Sequence, residues 1–207
     1  MRLCWLLITA GLALAADVPK VSYSKVFPGS DPAYMAISVN RTGAATYRED
    51  AKDDEPEVFT VEADAVQAIF DLAEKLEHFK RPLESGLKVA RTGDKTFRWD
   101  NGPETSEAKF NYSLDEDAKA LQEWFEHISE SERALVQLRR AIRFDKLGVN
   151  DAVIRVDSIF SQKRLVGFAQ FLPLLDRIAK NESFINLARE RAGRLADQLR
   201  TAGKVPQ

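Results

Sequence analysis

The chain has 207 residues, with thirty basic against thirty-two acidic side chains, a formal net charge of −2 and 44% hydrophobic residues. That near-balance argues against a nucleic-acid binder that relies on a basic surface. A single cysteine rules out an intrachain disulfide, and with two histidines, His78 and His127, in no HxxxH or HExxH pattern, a zinc site is not expected.

At the N-terminus Arg2 precedes an apolar stretch from Leu3 to Leu12, and Ala13-Leu14-Ala15 fits the small-x-small rule of a signal peptidase site. The pattern predicts a secretory signal over residues 1–16, cut after Ala15 or Ala16. The apolar run is shorter than the roughly 20 residues that span a bilayer, so no stable membrane anchor is expected after cleavage. Cys4 leaves with the signal, which makes the mature chain free of thiols. Export without cysteine points to a bacterial envelope, periplasmic or extracellular, rather than to a disulfide-stapled secreted domain.

A lead-in with Pro19, Pro28 and Pro32 reads as extended chain. Tyr34 to Val39 alternates, with Met35, Ile37 and Val39 on one side, and predicts a half-buried strand. Asn40-Arg41-Thr42-Gly43 supplies a hairpin turn and Ala45 to Arg48 the return strand. An acidic loop follows from Glu49 to Glu57, then a short third strand at Val58–Val61. Ala65, Ile69, Leu72, Leu76 and Phe79 recur at helical spacing, and Pro82 stops that helix. Leu87 with Val89, Phe97 with Trp99, and Phe110 with Tyr112 predict an antiparallel meander joined at Gly93-Asp94 and Asn101-Gly102.

Ser113-Leu114-Asp115-Glu116 reads as a capping box, with Ser113 as the cap. The helix behind it carries Ala118, Leu121, Phe125 and Ile128 inward. Leu135, Leu138 and Ile142 either continue it or begin a new helix after Ser131. Gly148 and Asn150 break the chain before a helix striped by Val153, Val156 and Phe160, which Gly167 ends. Pro173 opens the next helix, and Asn181 or Ser183 caps the last, with Phe184, Leu187, Ala188, Leu195 and Leu199 inward.

The expected fold is α+β: an antiparallel sheet, hairpin plus three-stranded meander, packed on a helix and followed by an all-helical bundle. The expected divisions are a signal peptide at 1–16, a sheet-and-helix domain at 17–130, a helical subdomain at 131–203 and a frayed tail at 204–207. Over residues 34–128 the order of elements, with the Gly turn Asn40-Arg41-Thr42-Gly43-Ala44, resembles a type of small exported bacterial α+β domain of unknown function. That resemblance implies a fold and no catalytic residues.

No Gly-rich phosphate loop and no G-x-S-x-G elbow is present. No cofactor or metal is expected. Asp145 and Glu190 are flanked by cations that would lower their pKa values, which makes them the candidate pair for an exported hydrolase working through two carboxylates. Trp99, Tyr112 and Trp124 are candidates for a ligand groove, although Trp99 and Tyr112 alternate in phase with core positions. Lys88, Arg98 and Lys109 share the expected outer face of the meander and form the candidate binding patch. From Ser113 to Glu132 there are seven acidic residues and one basic, and from Arg133 onward fifteen basic and seven acidic. Missing catalytic motifs and uneven charge favour a non-catalytic binding or scaffolding module that contacts an envelope protein or ligand, ahead of the hydrolase.

Overall fold

A computed structural model describes residues 18–203; the segment expected to be a signal peptide, 1–16, and the expected frayed tail, 204–207, lie outside the described residues. Six strands form one antiparallel sheet: β1 (Lys20–Val26), β2 (Tyr34–Asn40), β3 (Ala44–Arg48), β4 (Glu57–Thr60), β5 (Asp94–Asp100) and β6 (Thr105–Phe110). Their order across the sheet is β4-β3-β2-β1-β5-β6. The helices are α1 (Ala63–Lys75), α2 (Glu116–Phe144), α3 (Val149–Ser161), α4 (Leu172–Lys180) and α5 (Asn186–Ala202). The fold is α+β, with most of the helices after the sheet.

The expected meander is corrected at its first strand. Residues 80–93 form an irregular connection in which Leu87 and Val89 are exposed. The neighbour of β5 is instead β1, which pairs Val21 with Val39 on one side and Trp99 on the other, and Tyr23 with Ile37 and Phe97. Val21 and Tyr23 alternate with Ser22 and Ser24, so the lead-in carries the period of a half-buried strand. Its position mid-sheet follows from burial: Val21, Tyr23, Met35, Ile37, Val39, Phe97, Trp99 and Phe110 all face one core. The opposite face carries Ser22, Ser24, Ser38, Thr46, Thr96 and Arg98, half-buried or exposed.

The Asn40–Gly43 turn forms as its residues predict. The Asn40 Oδ1 accepts from the backbone N–H groups of Thr42 (3.0 Å) and Ala44 (2.9 Å). Gly43 has φ +86°, and a Cβ there would stand 2.7 Å from the Val61 carbonyl oxygen, so only glycine fits.

Helix α1 is shorter than its apolar stripe. After Leu76 the backbone turns left-handed at Glu77, His78 and Phe79, with φ of 53°, 52° and 65°. Burial of Phe79, stacked on Phe97 at 5.3 Å, offsets the cost of that conformation. The His78 ring lies 4.2 Å from that of Trp99.

The capping assignment at Ser113 is also corrected. Ser113 is buried and its Oγ accepts from Asp115 N–H, while the Asp115 Oδ1 caps α2 by accepting from Ala118 N–H at 3.1 Å. Helix α2 then runs unbroken for 29 residues, about 43 Å, through the expected boundary at 130/131. Ala118, Leu121, Phe125 and Ile128 belong to the sheet core; Ala134, Leu135, Leu138, Ala141 and Ile142 belong to a second core with α3, α4 and α5. Pro173 sits in the first turn of α4, as expected. Neither Asn181 nor Ser183 caps α5: Ile185 is the cap residue, and the Asn181 carboxamide is spent on Ser183 N–H at 2.9 Å. Leu187, expected inward, is exposed because α5 turns Ala188 and Ala192 to its neighbours.

Candidate functional site

Between Ile128 and Leu135 the apolar stripe of α2 is interrupted by Glu132, which is fully buried with Ser131. These polar groups hold the segment that follows α3. Ser131 Oγ donates to the His127 carbonyl (2.8 Å) and accepts from Val166 N–H (3.0 Å). Glu62, the residue before α1, reaches across to accept from Gly167 N–H (2.7 Å) and Phe168 N–H (2.8 Å). Gly167 takes φ +69° against the Phe59 ring, where a side chain would be strained. Glu132 accepts from the Gln170 carboxamide, and its other oxygen has no partner. Burial pushes the Glu132 carboxyl up to about 7, with Gln170 opposing, and raises Glu62 through the same loss of water.

Beside this clasp opens a cleft of about 240 Å³. One wall is the α2 face made by Glu126, Ser129, Glu130 and Arg133, spaced i, i+3, i+4, i+7. Lys25 at the end of β1, the turn at Ser30–Pro32, and Met35 form the second wall, and Arg155 of α3 with Arg164 complete it. The cleft thus spans the sheet core and the helical core. Lys25 Nζ stands 3.2 Å from Glu126, which also accepts from the Tyr23 hydroxyl. Arg133 meets Asp31 at 2.5 Å and Glu49 at 3.4 Å. Arg155 and Arg164 share one carboxylate, Glu130, at 3.9 and 2.9 Å. The Arg164 Nε and the Glu130 Oε2 are both shielded from solvent and have no hydrogen-bond partner. Behind it His127 is largely buried against Trp124, and its pKa is pushed down by burial and by the Arg164 charge.

The lining presents four cations and three carboxylates in a partly enclosed space, and Glu49 beside Arg133 is a fourth carboxylate at its edge. Guanidinium groups offer five donors each in a rigid fork, and a single carboxylate cannot satisfy two of them. The cleft is therefore chemically suited to receive a small anion or an anionic group. A larger hollow of about 480 Å³ lies between α3 and α5, lined by Phe160, Asp197, Gln198, Thr201 and Ala202. Its one charged group, Asp197, is already paired with Arg200 at 3.1 Å, which leaves it little to recognise a polar ligand with.

The residues singled out in the sequence fall elsewhere. Arg98 and Lys109 lie on the outer sheet face, but Glu107 stands between them, 3.9 Å from the first and 3.1 Å from the second. Lys88 is not on the sheet; it belongs to the 80–93 connection, which makes no strand. Asp145 is exposed and accepts from Gly148 N–H at 2.9 Å, and Glu190 is exposed and accepts from Asn186 at 2.7 Å. Neither lines the cleft or the hollow. Trp99 is buried edge-on to Phe70 (5.9 Å), and Trp124 packs on the sheet core, so these rings serve packing. Tyr112, past the end of β6, lies 6.0 Å from Lys119. Among the described residues no group of three or more His, Cys, Asp or Glu side chains is placed to hold a metal ion, and no helix is long and apolar enough to cross a membrane. No protein-family model matches the chain, and neither does a curated protein or a solved structure.

Proposed function

We propose that the chain is a non-catalytic binding module of the cell envelope, and that its recognition site is the cleft between the sheet and the helical bundle. Its ligand is a small anion or the carboxylate or phosphate group of a larger molecule. One observation carries this reading: Arg155 and Arg164, from different segments, converge on the single carboxylate of Glu130 while a shielded Arg164 donor stays unsatisfied. Bidentate Arg recognition of such groups is strong because both N–H bonds are charge-assisted. The envelope placement rests on the N-terminal pattern of Arg2, the Leu3–Leu12 stretch and Ala13-Leu14-Ala15.

Isothermal titration with inorganic phosphate and with a small dicarboxylate tests the site. Saturable binding is expected in the wild type. It should weaken at least about tenfold, 1.4 kcal/mol, in Arg155→Gln/Arg164→Gln and persist in Arg98→Gln/Lys109→Gln. Absence of saturable binding, or its loss through the sheet-face change alone, would remove the cleft from consideration.

A further inference from the structure

A second surface, separate from the cleft, lies at the far end of α2. Phe144, the last residue of that helix, and Leu147, in the turn before α3, are 73% and 79% exposed. Val136, Arg140, Arg143 and Phe144 are spaced i, i+4, i+7, i+8 and share one helix face, on which Val136 is also exposed. Arg143 sits over the Phe144 ring at 5.0 Å, which keeps a cation and an apolar ring side by side. Among the described residues Arg140, Arg143 and Lys146 enter no ion pair, whereas Arg139, on the same helix, is paired with Glu57 at 2.9 Å. The nearest acids in sequence are Asp145 and Asp151. Asp151 stands in the first turn of α3, where the partial positive charge of the helix end offsets it, and Asp145, the C-cap residue of α2, has its carboxylate turned onto Gly148 N–H just ahead of α3.

We propose that this α2–α3 corner is a reversible docking point for an anionic lipid surface. Phe144 and Leu147 would enter the headgroup boundary, with Arg140, Arg143 and Lys146 around them at the level of the lipid phosphates. Two large apolar side chains on a convex corner have too little area for a stable protein interface, which needs roughly 800 Å² per partner. They suit a fluid surface that closes around a protrusion. The three free cations supply the charge complementarity, each contributing about fivefold at an anionic surface.

Vesicle flotation tests this with the full chain and corner variants that share every other residue. Vesicles of phosphatidylcholine alone are compared with vesicles containing equal phosphatidylglycerol, at low salt and at high salt. The wild type should float at least about tenfold more with the anionic vesicles, salt should reduce this, and Phe144→Ser/Leu147→Ser and Arg140→Gln/Arg143→Gln/Lys146→Gln should each abolish the anionic preference. All five side chains are exposed, so circular dichroism should show the fold intact in both variants. No anionic preference, or one that survives both sets of changes, would overturn the proposal. So would light scattering that finds a wild-type dimer converted to monomer by Phe144→Ser/Leu147→Ser, since the corner would then be an interface between copies.

Discussion

The two halves of α2 meet different partners. Its N-terminal half packs Phe125 among Tyr23 (5.3 Å) and Phe97 (6.2 Å) on the sheet, a core built on aromatic rings. Its C-terminal half packs Leu135, Leu138 and Ile142 against Val153, Val156, Leu175, Ile178, Leu195 and several alanines, a core built mostly on aliphatic side chains. Between them the helix passes through a polar band of Ser129, Glu130, Ser131, Glu132 and Arg133. Apolar burial therefore stabilises each half, while hydrogen bonds and ion pairs fix one half against the other. Polar contacts of this kind contribute less net stability than burial but specify geometry. The cleft lies where the molecule is held by directional contacts, which is where a ligand's own charges can substitute for those already present.

The largest expected effect comes from cutting into the aromatic core. Phe125→Ala should cost about 3–5 kcal/mol. Because α2 is continuous, the loss should appear as one shifted urea transition by both far-ultraviolet circular dichroism and tryptophan fluorescence. Two separated transitions would show that the halves unfold independently and that α2 does not couple them.

Next comes the polar band. Glu132 holds its proton up to about 7 on the pH scale in the folded chain, but releases it near about pH 4.3 when unfolded. Between those values the unfolded state binds fewer protons, so this group makes stability fall as pH rises from about 4 to 7, with no further change above. Glu132→Gln should remove that contribution. Relative to wild type, the variant should gain up to a few kcal/mol in urea unfolding at about pH 8 compared with about pH 5, because a tenfold difference in proton affinity between the folded and unfolded chain is worth about 1.4 kcal/mol. An unchanged difference between the two pH values would mean that the carboxyl is not shielded as described.

Smaller effects are expected at the entrances to the helices. Asp115→Ala removes the α2 cap and should lower stability by about 1 kcal/mol, with Ser113→Ala having a different origin because that side chain is buried. At the left-handed turn, Glu77→Gly should stabilise by up to about 1 kcal/mol in urea unfolding. Glycine takes the φ of 53° found there without strain, and the solvent-exposed ion pair between Glu77 and Arg81 contributes little.

The apolar periods made most of the fold legible. β2, the Gly43 turn, α1, α3 and the Pro173 start of α4 follow from local residue chemistry. Strand β1 had its own signal in Val21 and Tyr23, but flanking prolines favour extended chain, and no local pattern says that such a segment pairs with both β2 and β5. Leu87 and Val89 show the reverse: two alternating apolar residues with no partner strand to bury them. The cleft was less accessible because Lys25, Glu126, Arg155 and Arg164 lie far apart in the chain and are brought together only by packing. One sign was present on α2 itself. Leu121, Phe125, Ile128, Glu132 and Leu135 step by four and three, so a glutamate stands at a core position, and that interruption marks the junction.

Whether Arg155 and Arg164 act together as one anion site can be read from their guanidinium Nε–Hε signals in NMR spectra while phosphate is added. These two signals should shift together along one saturation curve, whereas that of Arg98 stays in place. Shifts spread evenly over surface arginines without saturation, or confined to Arg98, would refute the shared site.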